Sequence, residues 1–98
     1  MTLYLSGPMS RYKDLNFPRF NRVASELRER GHKVVNPAEL PHNEDLTKPW
    51  SFYIREDLRA LLDCNEIMLL PGWKGSKGAR LERRLAKALG MKISEWRE

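Results

Sequence analysis

The chain has 98 residues and a formal net charge of +5, which allows one small domain, read as residues 1–98, with a thin core. Residues 1–73 carry ten basic and ten acidic side chains, so the whole excess lies in residues 74–98, with eight basic and three acidic. No run approaches the roughly 18 apolar residues of a membrane span, no basic start leads into a long apolar stretch as in a signal peptide, and the single cysteine, Cys64, excludes a disulfide scaffold or a cysteine zinc cluster.

Leu3-Tyr4-Leu5 is a short β-favouring run stopped by Ser6-Gly7-Pro8. The spacing predicts a helix over residues 17–30. Asn16 is placed as its N-cap and Pro18 in its first turn, and Phe20, Val23, Ala24 and Leu27 recur on one face. Gly31 supplies the stop. Lys33-Val34-Val35 reads as a second strand, followed by a polar loop with Pro37, Pro41 and Pro49.

A second helix is predicted from about Ser51 to Cys64, then a strand at Ile67–Leu70 that is apolar throughout, as in a parallel sheet covered on both faces. Residues 72–78 form a Gly/Lys/Ser loop. A third helix is predicted from about Ala79 to Leu89, and Met91-Lys92-Ile93 as a short fourth strand. This alternation implies an α/β fold: a small Rossmann-like (flavodoxin-like) three-layer sandwich on a parallel sheet of about four strands. Ligands in such folds bind beyond the carboxyl ends of the strands. The loops Ser6–Asn16 and Pro71–Gly78 leave those ends.

Two carboxylates stand out. On the second helix Tyr53, Ile54, Asp57, Leu58, Leu61, Leu62 and Asn65 fill one half-circle, so Asp57 lies inside an apolar arc. It is either a buried acid holding a backbone amide or an arginine, or a functional group. Glu82 falls in the first turn of the predicted third helix, where the helix dipole keeps a carboxylate ionised. It is either dipole decoration or a nucleophile. The loop Gly72-Trp73-Lys74-Gly75-Ser76-Lys77-Gly78 suits a phosphate, with Arg80 nearby. The plain alternative is a solvated basic turn. Neither the P-loop spacing nor Gly-x-Gly-x-x-Gly fits it.

His32 reads as a turn residue, His42 as a solvated loop residue and Cys64 as a small core residue. Trp73 is a candidate to stack a base or cover a dimer contact, while Trp50 and Trp96 look structural. No pair of His, Cys or acidic residues has metal-ligand spacing, so neither metal nor cofactor is expected.

Tyr4-Leu5-Ser6-Gly7-Pro8-Met9-Ser10, Asn16-Phe17-Pro18, Gly31-His32, Val35-Asn36-Pro37-Ala38-Glu39, Asp57-Leu58 and Leu69-Leu70-Pro71-Gly72-Trp73 through Ser76-Lys77-Gly78-Ala79-Arg80-Leu81-Glu82 follow in order. Together they resemble the DUF4406 family, itself similar to a compact branch of the nucleoside 2-deoxyribosyltransferase superfamily. The resemblance implies cleavage of the N-glycosidic bond of 2′-deoxynucleosides or their monophosphates through a glycosyl–glutamate. It puts Glu82 at the nucleophile position and Asp57 where an aspartate serves the leaving base. It puts Tyr4, Ser6, Gly7, Pro8 and Met9 around base and sugar and Ser76 at the 5′ end of the substrate, with Lys77 and Gly78 beside it in the loop as further binding candidates.

A serine at this loop position goes with 5′-phosphate ligands in the relatives, whereas an acidic residue goes with a free 5′-hydroxyl. A hydroxyl flanked by Lys74, Lys77 and Arg80 attracts phosphate, so a nucleotide is expected over a nucleoside. Arg11 stands where the family pattern leads one to expect glycine; it either touches phosphate or narrows the pocket. The chain is shorter than the transferases and lacks their later strand and C-terminal segment, so a homodimer or higher homo-oligomer is expected to complete the site. A cytoplasmic setting is expected, in a bacterium or a phage-infected cell. Two other classes compete with the enzyme: a silent nucleotide-binding or sensing module, and a basic nucleic-acid-binding domain whose affinity would fall steeply with salt. The latter is disfavoured because the charge is local to one loop and helix.

Overall fold

The computed structural model describes residues 2–41 and 46–98; the expectation for His42 lies outside them. Four strands, β1 (Thr2–Ser6), β2 (Lys33–Val35), β3 (Glu66–Leu69) and β4 (Lys92–Glu95), form one sheet in the order β2-β1-β3-β4. Every pairing is parallel. The helices are α1 (Phe17–Glu29), α2 (Trp50–Leu62) and α3 (Lys77–Ala88). The small Rossmann-like sandwich expected from the alternation is the fold found.

Side-chain alternation along β1 builds the layers. Leu3 and Leu5 join Phe20, Val23, Ala24 and Leu27 of α1 on one face. Tyr4 points the other way, among Leu61 of α2, Cys64 just beyond it, Ile67 and Leu69 of β3, and Ala86 of α3. One helix therefore covers one face and two cover the other. Tyr4 and Leu5 are fully buried, which suits their place in a central strand. The order reverses between β1 and β3: β2 lies to one side of β1 and β3 to the other. A crevice opens at such a switch point.

The end of β1 is fixed tightly. The Leu70 N–H donates to the Ser6 carbonyl at 2.8 Å. A Cβ on Gly7 would stand 2.8 Å from the Leu70 Cβ, closer than two such atoms approach. Gly7→Ala is therefore expected to destabilise the fold by about 1–3 kcal/mol through overpacking, read as a lower denaturant midpoint with an unchanged slope.

Several local expectations are corrected. Asn16 is no ordinary N-cap: its backbone is left-handed at φ 63°, its side chain makes no capping hydrogen bond to α1, and its Nδ2 donates instead to the Pro8 carbonyl at 2.9 Å. Asp14, Leu15 and Asn16 are consecutive left-handed residues, with Arg11 another at φ 70°. Such non-glycine residues hold a strained turn, and here they form the loop between β1 and α1. Leu62 leaves the apolar arc of α2 and is 57% exposed. α3 begins at Lys77, two residues earlier than the pattern suggests, because the Ser76 hydroxyl accepts from the Ala79 N–H at 3.2 Å and caps it. Lys77 and Gly78 are thus helical, and Glu82 falls beyond the first turn.

Cys64 is a buried free thiol, His32 is exposed ahead of β2, and Trp96 packs against the α1 cluster, each as its neighbours in sequence suggest. Among the described residues no helix is long and apolar enough to cross a membrane.

Candidate functional site

A cleft of about 770 Å3 opens at the carboxyl ends of β1 and β3. Its floor is Tyr4 and Ser6, two residues apart and so on one face of β1. One wall is the α2 stripe Trp50, Tyr53, Ile54 and Asp57, at helical spacing. The facing wall is the start of α3, from Ser76 to Glu82. The turn Gly7–Pro8 and the strained loop, through Met9, Arg11, Tyr12 and Leu15, close a third side. Tyr4, Ser6, Gly7, Pro8, Met9, Arg11, Asp57, Ser76, Lys77, Gly78 and Glu82, the residues singled out from the sequence, all line this one cleft.

Glu82 is its chemical centre. It is 5% exposed, yet lines the cleft. The Tyr4 hydroxyl donates to its Oε2 at 2.7 Å, and the Ser6 hydroxyl to its Oε1 at 2.6 Å. Both oxygens are therefore held by donors from the central strand. Burial, and after it the charge of Asp57, push the Glu82 carboxyl up to about 8 against the hydrogen bonds from Ser6 and Tyr4, which pull it down. Burial also pushes Asp57 up to about 7, with a smaller contribution from Glu56.

This corrects the expectation of a carboxylate kept ionised by a helix N-terminus. The dipole acts over the first turn. Glu82 lies past it, in a site where loss of water outweighs the donors. The two carboxyls interact, so they titrate as a pair and share protons near neutrality. Burial raises the Tyr4 phenol well above its ordinary value, with the charge of Glu82 acting the same way. Tyr4 therefore remains a neutral donor.

The cationic rim is smaller than the charge count suggests. Lys77 and Arg80 line the cleft; Lys74 does not, and its Nζ lies 5.9 Å from the Trp73 ring centroid. Trp73 is also outside the cleft. Its Nε1 donates to the Glu95 carboxylate at 3.2 Å, and the Arg83 guanidinium lies 5.2 Å from its ring centroid.

Trp50, read as structural, is instead 41% exposed on the cleft wall, with the Lys77 Nζ 4.4 Å over its ring. Its spacing of seven from Asp57 would have revealed it, had α2 been started one residue earlier. Tyr12 was missed as well. Its hydroxyl lies 3.0 Å from where a Cβ on Gly72 would sit, and Gly72 has φ +91°, so glycine lets this part of the wall close.

The fold and site define a small parallel α/β domain with two carboxyls, one of them held by hydroxyls, at its switch-point crevice. Residues 1–95 match the family model described as "Domain of unknown function (DUF4406)". The chain belongs to that family. A search of curated proteins returned no match.

Proposed function

We propose that the protein cleaves or transfers the N-glycosidic bond of 2′-deoxynucleotides, with Glu82 as nucleophile. The observation that carries this reading is the buried Glu82 carboxyl, both oxygens held by hydroxyls, coupled to Asp57 in one cleft. Glu82 as carboxylate attacks C1′, and the bond from C1′ to the base nitrogen breaks. Asp57 in its acid form gives its proton to the departing base. Asp57, now a carboxylate, then takes a proton from water or from a second base, which attacks C1′ and releases Glu82. The absent 2′-hydroxyl of a deoxyribose makes the oxocarbenium-like state easier to reach. Each carboxyl must be in the opposite proton state to the other, which their coupled titration near neutrality permits.

Ser76, Lys77 and Arg80 suit a 5′-phosphate, and the Trp50 ring gives a flat wall for a base. The Ser76 oxygen caps α3, and its O–H remains a donor by type. Ser76→Asp would add a negative charge beside the phosphate. It is expected to weaken binding of a deoxynucleoside monophosphate at least about tenfold more than that of the free nucleoside. Equal losses for both in calorimetry would remove phosphate from this part of the reading. Tyr12, Leu46 and Trp50 are exposed at the cleft mouth, and a second subunit of a homo-oligomer would cover them.

A second reading has its own support. Burial favours the neutral forms of both Glu82 and Asp57, and a neutral carboxylic acid binds rather than attacks. The protein would then be a nucleotide-binding module without turnover. Incubation with the four deoxynucleoside monophosphates, followed by chromatography for free base, separates the two. Release supports the glycosidase; binding with no release supports the module.

A further inference from the structure

We propose that Ser6 is a positioning residue that shifts the proton shared by the two cleft carboxyls away from Glu82 and towards Asp57. The inference deepens the proposed chemistry and rests on that reading for its catalytic meaning, but not for its physical content.

Ser6 is the last residue of β1 and 1% exposed. Its place is fixed on two sides. Its carbonyl takes the Leu70 N–H at 2.8 Å, and the next residue, Gly7, is pressed against the Leu70 Cβ. The hydroxyl is thereby aimed at Glu82 Oε1, 2.6 Å away. A serine hydroxyl has one proton to give. Protonation of Glu82 would remove its charge, and the Ser6 bond would lose its charge assistance. The Tyr4 bond does the same at Oε2. Each oxygen keeps a second lone pair that can take a proton, so the two donors do not forbid the neutral form of Glu82; each lowers its hold on the proton.

Other titratable and charged groups act on this balance. Asp57 on α2 acts on Glu82 by its charge, and Glu56 acts on Asp57. Cys64 acts on Tyr4. The cations Arg11, Lys77 and Arg80 line the same cleft. Of the two donors to Glu82, Ser6 sits at the strand end.

The test is a carboxyl 13C NMR titration of the intact protein, assigned with Glu82→Gln and Asp57→Asn. Ser6→Ala is expected to raise the Glu82 midpoint by about one pH unit. It should also lower that of Asp57, since a neutral Glu82 no longer opposes its charge. Ser6→Thr, which keeps the hydroxyl, is expected to stay near wild type. A Glu82 midpoint that is unchanged or lower in Ser6→Ala overturns the proposal, as does a Ser6→Thr protein that shifts as Ser6→Ala does. The backbone spectrum of each variant reports folding; should Ser6→Ala unfold, Tyr4→Phe and Ser6→Thr must still move Glu82 by different amounts, and equal shifts would overturn it. No substrate is involved. Failure to release base would therefore remove the glycosidase reading and leave this result standing.

Discussion

Glu82→Gln protein is expected to be more stable than wild type at pH 9 and nearly equal to it at pH 5. The sign follows from the titration. Burial raises the folded Glu82 carboxyl from its ordinary 4.5 to about 8. Below about 4.5 both folded and unfolded chains hold the proton, and the stability is fully present. Between there and about 8 the unfolded chain has lost its proton while the folded one keeps it. Stability therefore falls as pH rises through this window. Above about 8 both are ionised and the loss is complete. Asp57, raised from 3.8 to about 7, adds a loss of the same sign over a lower window.

At about 1.4 kcal/mol per pH unit, the Glu82 contribution is roughly 3–5 kcal/mol, a large part of the stability of a chain this size. Glutamine is close in shape and neutral, and the Tyr4 and Ser6 hydroxyls can rotate to accept from its amide. Urea unfolding of both proteins at pH 5, 7 and 9 measures the effect. A Glu82→Gln protein that parallels wild type at all three values would mean that Glu82 is not desolvated as described.

The same variant is expected to lose base release by at least about 1,000-fold, because an amide nitrogen or neutral carbonyl cannot serve as the attacking anion. Glutamine is a better choice than alanine here. Glu82→Ala would leave two buried hydroxyls without their acceptor, at about 1–3 kcal/mol for each, and mix loss of fold with loss of chemistry. The expected pattern is a lost rate with binding of the monophosphate retained, seen by single-turnover kinetics beside calorimetry. A Glu82→Gln enzyme that still releases base at a tenth of the wild-type rate or more would transfer the nucleophile role elsewhere in the cleft.

How far the sequence could be read depends on the range of the forces involved. The β/α alternation and the apolar strand at Ile67–Leu70 are local patterns, and they led to the α/β class and to the two loops that flank the cleft. Glu82 and Asp57 were visible as carboxyls out of place: one beside a glycine-rich turn, one inside an apolar arc. What was not legible was the charge state of Glu82. That depends on Tyr4 and Ser6, which are 78 and 76 residues away in sequence, and on how little water reaches the crevice. The first-turn position was also misjudged, because the Ser76 cap starts α3 earlier than its apolar face does.

Asn16 shows a different limit. Its residue type suits an N-cap, but four left-handed residues between Arg11 and Asn16 turn its side chain back towards Pro8. Trp50 on the cleft wall and Trp73 outside it have a similar cause. Trp73 follows the glycine turn, yet Gly72 at φ +91° directs the chain so that its ring meets Glu95 and Arg83. Trp50 lies beyond a proline loop, where local pattern ends before the helix begins.

The most direct measurement of the central claim is proton NMR of a deoxynucleoside monophosphate mixed with the protein in aqueous methanol. Attack by Glu82 and then by methanol inverts C1′ twice. The account predicts loss of the nucleotide anomeric signal and growth of a methyl deoxyriboside 5-phosphate of the same β configuration as the substrate. Formation of the α methyl glycoside would contradict a covalent Glu82 intermediate, and survival of all four monophosphates would contradict glycosidic cleavage itself.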